Sequence, residues 1–103
     1  MNPELSVRIT ALAARQIRAA EAWWRVNRMA APNAIREELQ RAFALIASQP
    51  QAGGRAENVR LPDVRRIYLA RIKYHVYYHV LVVPECVEVL AFWHVRRGDA
   101  PPI

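Results

Sequence analysis

The distribution of apolar residues along the chain predicts a strand, then two helices, then three more strands. Residues 5–9 alternate between apolar and polar side chains, which is the period of a half-buried strand. A helix follows that begins at Ala11, with Thr10 in the N-cap position. The apolar positions of this helix recur at steps of four and three residues and form one stripe: Ala13, Ile17, Ala20 and Trp24.

A second amphipathic helix follows the break at "MAAPNA". Pro32 stops the first helix, and Asn33 supplies the next N-cap. The same apolar spacing then returns at Ile35, Leu39, Ala42 and Ile46. Because two helices joined by a short link carry matching stripes, we expect an antiparallel helical hairpin. Pro50 ends this helix, and residues 49–63 read as a long loop to which we assign no site.

The last forty residues contain three β-rich runs, at 64–70, 74–83 and 86–95. Short turns at 71–73 and 84–85 join them into an antiparallel meander. In the last run both alternating sets are largely apolar, which indicates a central strand with the first strand of the chain on its free side. The sequence therefore predicts a single two-layer α+β domain over residues 1–103. Its helical hairpin packs on one face of a mainly antiparallel four-stranded sheet, in the order β-α-α-β-β-β.

Period-two alternation divides the third predicted strand into two faces. Tyr74, Val76, Tyr78, Val80 and Val82 form the set expected under the helices, and His75, Tyr77, His79 and Leu81 form the set expected on the face left uncovered. In the last strand His94 shares a face with Leu90 and Phe92 if the alternation is regular. We therefore expect His94 to join His75 and Tyr77 on the uncovered face, next to Arg96 and Arg97.

This predicted group of His, Tyr and Arg side chains has two interpretations. Arginine supplies charge, aromatic rings supply stacking, and histidine transfers protons near neutral pH, so the group suits a surface that handles phosphates or nucleic acid. The same side chains are amphipathic and equally suit a half-wetted sheet face. Residue types alone leave both interpretations open.

The charge of the chain indicates an anionic partner. Lysine and arginine total 15 against 9 acidic residues, a net charge of +6, and Lys73 is the only lysine. Arginine's planar fork matches phosphates and carboxylates, so nucleic acid or an acidic protein segment would fit, although arginines that merely solvate the surface would give the same excess.

With Cys86 as the only cysteine, an internal disulfide is excluded, and we expect this residue to be buried. The N-terminal pattern lacks a signal peptide and no apolar run would span a bilayer, so we expect a cytoplasmic protein without a membrane partner.

The sequence predicts neither a metal site nor a cofactor. The three histidines have no cysteine or carboxylate set at ligand spacing, and Gly53 and Gly54 are not followed by the Lys-Ser or Lys-Thr of a nucleotide loop.

Trp23 and Trp24 are separated by about 100° around the first helix, so both cannot point into one core. We expect one of them to join the core and the other, Trp23, to face a partner; partial burial of both at the hairpin seam is the alternative.

Two segments resemble a known family. "RRIYLARIKYHVYYHV" at 65–80 and "EVLAFWHVRRGDAPP" at 88–102 resemble the ParE/RelE superfamily of toxins from bacterial type II toxin–antitoxin systems. The resemblance implies a growth-inhibiting toxin of the kind that stabilises plasmids. It also implies a cognate antitoxin, ParD-like for a ParE-like toxin, that neutralises the toxin in a hetero-oligomeric complex.

The resemblance implies two different activities. ParE-like members act on DNA gyrase, whereas RelE-like members cleave messenger RNA on the ribosome. For a ribonuclease, His94 and His75 would serve as acid or base and Arg71, Arg96 or Arg97 as phosphate clamps.

Departures from the RelE pattern favour the ParE interpretation: a single lysine, a histidine where an arginine often opens the third strand, and no tyrosine after His94. In that interpretation no catalytic residue is assigned. The predicted target or partner surface then consists of His75, Tyr77, His94, Arg96, Arg97 and Trp23.

Overall fold

Two helices cover one face of a five-stranded sheet in the computed structural model, which describes residues 4–103. The strands are β1 (Ser6–Ile9), β2 (Gly54–Arg55), β3 (Arg65–Leu69), β4 (Tyr74–Val82) and β5 (Glu85–His94), and the helices are α1 (Ala11–Asn27) and α2 (Ala34–Ser48). The predicted α+β class and the order β-α-α-β-β-β are confirmed. The short strand β2 is an addition, formed inside the segment that the sequence presented as a loop.

The strand order is β1-β5-β4-β3-β2, with β1 parallel to β5 and every other neighbouring pair antiparallel. The predicted central position of β5, with β1 on its free side, is therefore confirmed. The turn between β4 and β5 comprises residues 83–84, one residue earlier than predicted, and contains a cis Val83–Pro84 bond.

The start of α1 is fixed to the middle of the sheet by Thr10. Its Oγ1 accepts a hydrogen bond from the backbone N–H of Ala13 (3.2 Å) and donates to the carbonyl of Leu90 (3.3 Å). This side chain therefore caps the helix and ties it to β5 at the same time. Asn33 occupies the N-cap position of α2 as predicted, but its side chain makes no capping hydrogen bond.

The main hydrophobic core lies between the helices and the sheet. Both predicted helical stripes face it, as do Tyr74, Val76, Tyr78 and Val80 of the predicted β4 set, whereas the fifth member, Val82, is 80% exposed. The buried members of the core include Ala13, Ile17, Ala20, Ile35, Leu39, Ala42, Ile46, Val76, Tyr78, Val87, Val89 and Phe92. Each large aliphatic side chain buried here stabilises the fold by about 1.5–3 kcal/mol. Cys86 is also buried, as expected. None of the helices within residues 4–103 is long and apolar enough to cross a membrane.

The prediction of an uncovered second sheet face is wrong. Tyr77 is only 1% exposed and belongs to a second core, which lies under the segment 56–64 and the C-terminal residues. The members of this second core are Ala56, Val64, Tyr77, Leu90, Ala91 and Trp93, with Val59 and Ile103 packed against them. The physical reason is visible in β5, whose two alternating sets are both apolar, so each face of the sheet must be covered to remove its side chains from water.

The prediction that His94 joins His75 and Tyr77 is also wrong, because β5 contains a bulge. Tyr77 pairs with Ala91 and Tyr78 pairs with Val89, so Leu90 is an extra residue between two paired positions. An extra residue reverses the alternation beyond it. Leu90 and Phe92 consequently lie in different cores. His94 pairs with Tyr74 on the helix side, whereas His75 pairs with Trp93 on the other side.

Candidate functional site

A groove of about 800 Å³ lies between α1 and the adjoining ends of β4 and β5. Leu12, Arg15 and Trp23 line it from the helix, and Tyr74 and Phe92 line it from the sheet. The turn before β4 and the residues after β5 complete its wall. We call this feature the basic groove, because its lining includes six cationic side chains: Arg15, Arg28, Arg71, Lys73, Arg96 and Arg97.

The positive charge of the basic groove is poorly compensated. No carboxylate is found among the described residues that line it. Of these six cations only Arg71 is ion-paired among residues 4–103, with its Nη1 2.9 Å from Glu37 and 3.3 Å from Glu38. The hydrogen bond that Arg71 donates to Glu37 is the main reason that its pKa is raised. Clefts lined by one sign of charge concentrate the opposite sign, so the remaining cations favour an anionic ligand.

Aromatic rings form the floor and one rim of the basic groove. Tyr74 stacks on Phe92 with ring centroids 4.3 Å apart and planes 7° apart, and His94 meets the Tyr74 ring edge-on at 4.9 Å. On the rim, Trp23 is 48% exposed and lies 5.1 Å below the guanidinium of Arg28.

The two adjacent tryptophans of α1 have different environments. Trp24 packs against the main core, whereas Trp23 is exposed, which confirms the expected division of the pair between core and surface. The indole Nε1 of Trp24 is buried and has no hydrogen-bond partner among the described residues. A buried donor without an acceptor lowers the stability of the fold.

His94 is held in one tautomer by the backbone. Its Nδ1 accepts a hydrogen bond from the N–H of Arg96 at 3.0 Å. Burial lowers the pKa of His94, and the nearby charges of Arg96, Lys73 and Arg97 lower it further. A neutral imidazole whose Nδ1 lone pair is engaged carries its proton on Nε2, so this ring donates a hydrogen bond but has no lone pair free to accept a proton.

The predicted site residues divide between two surfaces. The basic groove brings together Trp23, Arg71, His94, Arg96 and Arg97. His75 and Tyr77 lie on the opposite side of the sheet.

Of these two residues Tyr77 is buried, whereas His75 is half-buried. The His75 ring is tilted against Tyr68 (5.2 Å) and Tyr77 (6.0 Å), and burial, followed by the charge of Arg66, lowers its pKa. The Tyr77 hydroxyl accepts hydrogen bonds from Asn58 (3.1 Å) and Arg66 (3.2 Å).

Sequence reasoning missed several residues of the groove, namely Arg15, Arg28, Lys73, Tyr74 and Trp24. The sequence pattern predicts Tyr74 in the core beneath the helices and Trp24 on the apolar stripe of α1. One available signal was the spacing of Arg15, Ala19 and Trp23, which follow one another at steps of four residues. This spacing places them along one edge of the helix, beside the apolar stripe. Among the residues that the structure describes, no group of three or more His, Cys, Asp or Glu side chains could hold a metal ion.

Two solved structures share this fold. One is described as the chromosomal ParDE toxin–antitoxin system from P. aeruginosa; the chain is similar to it with a TM-score of 0.71 and 21% identity, over 90% of this chain and 98% of that one. The other is the isolated E. coli RelE toxin, with a TM-score of 0.65 and 18% identity, over 92% of this chain and 88% of that one. No curated protein sequence matches the chain significantly.

The family comparison covers most of the sequence. Residues 7–98 match the family described as the ParE toxin of the type II toxin–antitoxin system parDE. This range includes both helices, β2 to β5, β1 except for Ser6, and the residues that line the groove. The chain therefore belongs to the ParE toxin family of type II toxin–antitoxin systems.

Proposed function

We propose that this toxin acts on DNA gyrase in the cytoplasm and is neutralised by a ParD-like antitoxin in a hetero-oligomeric complex. The membership of the ParE toxin family supports the general system. The observation that carries the proposal is the basic groove itself, which presents cations and aromatic rings to an anionic partner but offers no side chain ready to accept a proton.

The missing proton acceptor is an argument for a binding surface rather than a hydrolytic centre. Cleavage of RNA through the ribose 2′-hydroxyl needs a base that removes the hydroxyl proton. Among the described residues that line the groove, the ordinary candidate is His94, whose Nδ1 lone pair is engaged by the backbone N–H of Arg96. His75 is separated from it by the sheet, and Arg71 is engaged by Glu37 and Glu38.

The same groove suits an antitoxin segment that carries acidic side chains. Arg15, Arg28, Lys73, Arg96 and Arg97 line it without an acidic partner among the described residues, so carboxylates from a second protein would neutralise them. Exposed apolar surface at Trp23, Val26 and Met29 continues the helix rim and would accept apolar residues of the same segment.

Supercoiling by purified gyrase tests the proposal. Addition of the toxin should inhibit supercoiling of relaxed plasmid, and addition of the cognate antitoxin should restore it. The Arg96→Ala/Arg97→Ala variant should inhibit less, whereas Arg18→Ala/Arg36→Ala, which removes the same charge outside the groove, should inhibit like the wild type. Unchanged supercoiling at toxin concentrations that arrest growth in cells would exclude gyrase as the target.

The second candidate function is a RelE-like, ribosome-dependent messenger RNA endoribonuclease. The observation in its favour is that His94 lies in a groove whose cations would bind a phosphodiester. This function requires the hydrogen bond from Arg96 to His94 to break when substrate binds. Cleavage of messenger RNA on translating ribosomes that His94→Ala abolishes would support it, and intact messenger RNA during growth arrest would exclude it.

A further inference from the structure

We propose that the basic groove binds single-stranded DNA, with phosphates on its arginines and a base stacked at Trp23, and that it leaves the strand intact. This inference rests on the proposed action on gyrase and extends it from the enzyme to the DNA that the enzyme holds. It assigns a ligand class to the groove and gives a separate role to its charged and aromatic side chains.

The charges supply affinity for a phosphate backbone. Arg15 and Arg28 lie on the helix side of the groove, and Lys73, Arg96 and Arg97 lie on the sheet side. A strand that follows the groove therefore meets cations on both walls. Since no described carboxylate lines the groove, this field is not cancelled locally, and each neutralised phosphate releases a counterion.

The aromatic side chains indicate a single strand rather than a duplex. Trp23 is 48% exposed and Arg28 lies over its ring at 5.1 Å, so an indole plane and a guanidinium plane are available together at the rim. Stacking on such planes requires an exposed base face, which paired and stacked duplex bases do not offer. An acidic peptide would use the same cations, but only a peptide with an aromatic side chain would also stack at this rim.

Hydrogen bonding at the inner end of the groove fits the same ligand. The Nε2–H of neutral His94 is a donor in the groove. Phosphate oxygens and base carbonyls are acceptors that would take this hydrogen bond. DNA lacks the ribose 2′-hydroxyl that would attack the phosphate, and no described carboxylate lines the groove to activate a water molecule, so bound DNA stays intact.

Fluorescence anisotropy with a labelled 12-nucleotide DNA strand tests the inference on the purified full-length toxin. The strand should bind more tightly than the same sequence as a duplex or as RNA, and more tightly than an acidic peptide of equal charge. Its affinity should fall with salt, and gel electrophoresis should recover the strand uncut. Tighter binding of the duplex, the RNA or the peptide, or cleavage of the strand, would overturn the proposal.

Matched variants locate the binding site. Arg15→Ala/Arg97→Ala should weaken binding and reduce the slope of log affinity against log salt by about 1.4, since each lost phosphate contact contributes about 0.7 for single strands. Arg18→Ala/Arg36→Ala changes the net charge equally but lies outside the groove, so the affinity for the strand and the salt slope should stay nearly unchanged. Equal losses in the two variants would show binding by diffuse surface charge and would overturn the proposal.

The stacking contact has its own test. Trp23→Leu keeps the surface apolar but removes the indole plane, and should weaken binding of the strand by about 5-fold to 150-fold, the range of one lost base–aromatic stack. A loss smaller than twofold would overturn the stacking role. If the toxin inhibits gyrase but does not bind the strand, this inference fails and the proposed function stands. If the toxin binds the strand but leaves gyrase unaffected, the proposed action on gyrase fails and the binding of single-stranded DNA stands.

Discussion

Single residues of this toxin show how position changes the chemistry of one side-chain type. His75 and His94 lie on opposite sides of the sheet, yet burial is the main cause of a lowered pKa at both, and nearby arginines add to it. Their types were readable from the sequence, as was their placement on β-strands. Their separation was not, because it depends on the extra residue in the neighbouring strand.

The lowered pKa values predict a loss of stability in mild acid. The unfolded chain takes up protons near the ordinary histidine pKa of 6.5, whereas the folded chain resists them until lower pH. Because the unfolded state then binds more protons, the free energy of unfolding should fall as pH decreases through 6.5. Urea denaturation at several pH values between 7.5 and 5 measures this slope, and His75→Gln/His94→Gln should flatten it. An identical slope in wild type and variant would contradict the assignment.

Removal of the buried Tyr78 hydroxyl is expected to have a larger effect on the free energy of unfolding. This hydroxyl donates to the carbonyl of Pro50 and accepts from the N–H of Gly53, both at 2.8 Å. Tyr78→Phe leaves both backbone groups without that partner, so the free energy of unfolding should decrease by about 1–3 kcal/mol. Tyr68→Phe is the control, because Tyr68 is exposed and its loss of a hydroxyl should change stability by less than about 0.5 kcal/mol. Equal effects of the two substitutions would contradict this account.

At the scale of elements, periodicity predicted the helices well and the faces of β5 incompletely. The stripes at Ala13–Ile17–Ala20 and Ile35–Leu39–Ala42–Ile46 point into the main core, because a helix has one repeat and one buried side. In β5 the bulge at Leu90 breaks the period of two. An apolar run such as "VEVLAFW" satisfies a buried strand with or without the extra residue, so the sequence alone does not locate the bulge.

The N-terminus of α1 allows a test of how one cap supports an element. Thr10 Oγ1 accepts from Ala13 and donates to the carbonyl of Leu90 beside the bulge. Thr10→Ala removes both contacts and should lower the free energy of unfolding by about 1 kcal/mol, within a range of 0.5–2. Thr10→Ser keeps the hydroxyl and should recover most of the loss, as thermal denaturation followed by circular dichroism would show. A serine variant as unstable as the alanine variant would assign the effect to the lost methyl group instead.

At the scale of the whole molecule, the sheet separates two hydrophobic cores that are covered by different parts of the chain. The helices cover the main core beside the basic groove, and the segment 56–64 with the C-terminal residues covers the second core. The apolar character of both faces of β5 was already present in the sequence and implied a second cover. A long segment without regular periodicity gave no sign that it supplied this cover, since its contacts with the sheet are specific and irregular.

The attachment of the C-terminal residues to the second core predicts a local response to one substitution. Trp93 Nε1 donates to the carbonyl of Asp99 (2.9 Å), and the N–H of Arg60 donates to the carbonyl of Ile103 (3.0 Å). Trp93→Phe removes the first bond and leaves unfilled space under the tail. The Arg60 amide should therefore exchange its hydrogen faster.

The amide of Thr10, which donates to Val89 beside the main core, is the internal reference for this experiment. Its exchange should change only as much as the global free energy of unfolding changes, because α1 lies on the other side of the sheet from the tail. Hydrogen exchange followed by NMR resolves both amides in one sample. Equal acceleration of hydrogen exchange at the Arg60 and Thr10 amides would mean that the two cores open as one unit. The segment 56–64 and the C-terminal residues would then unfold only together with the rest of the protein.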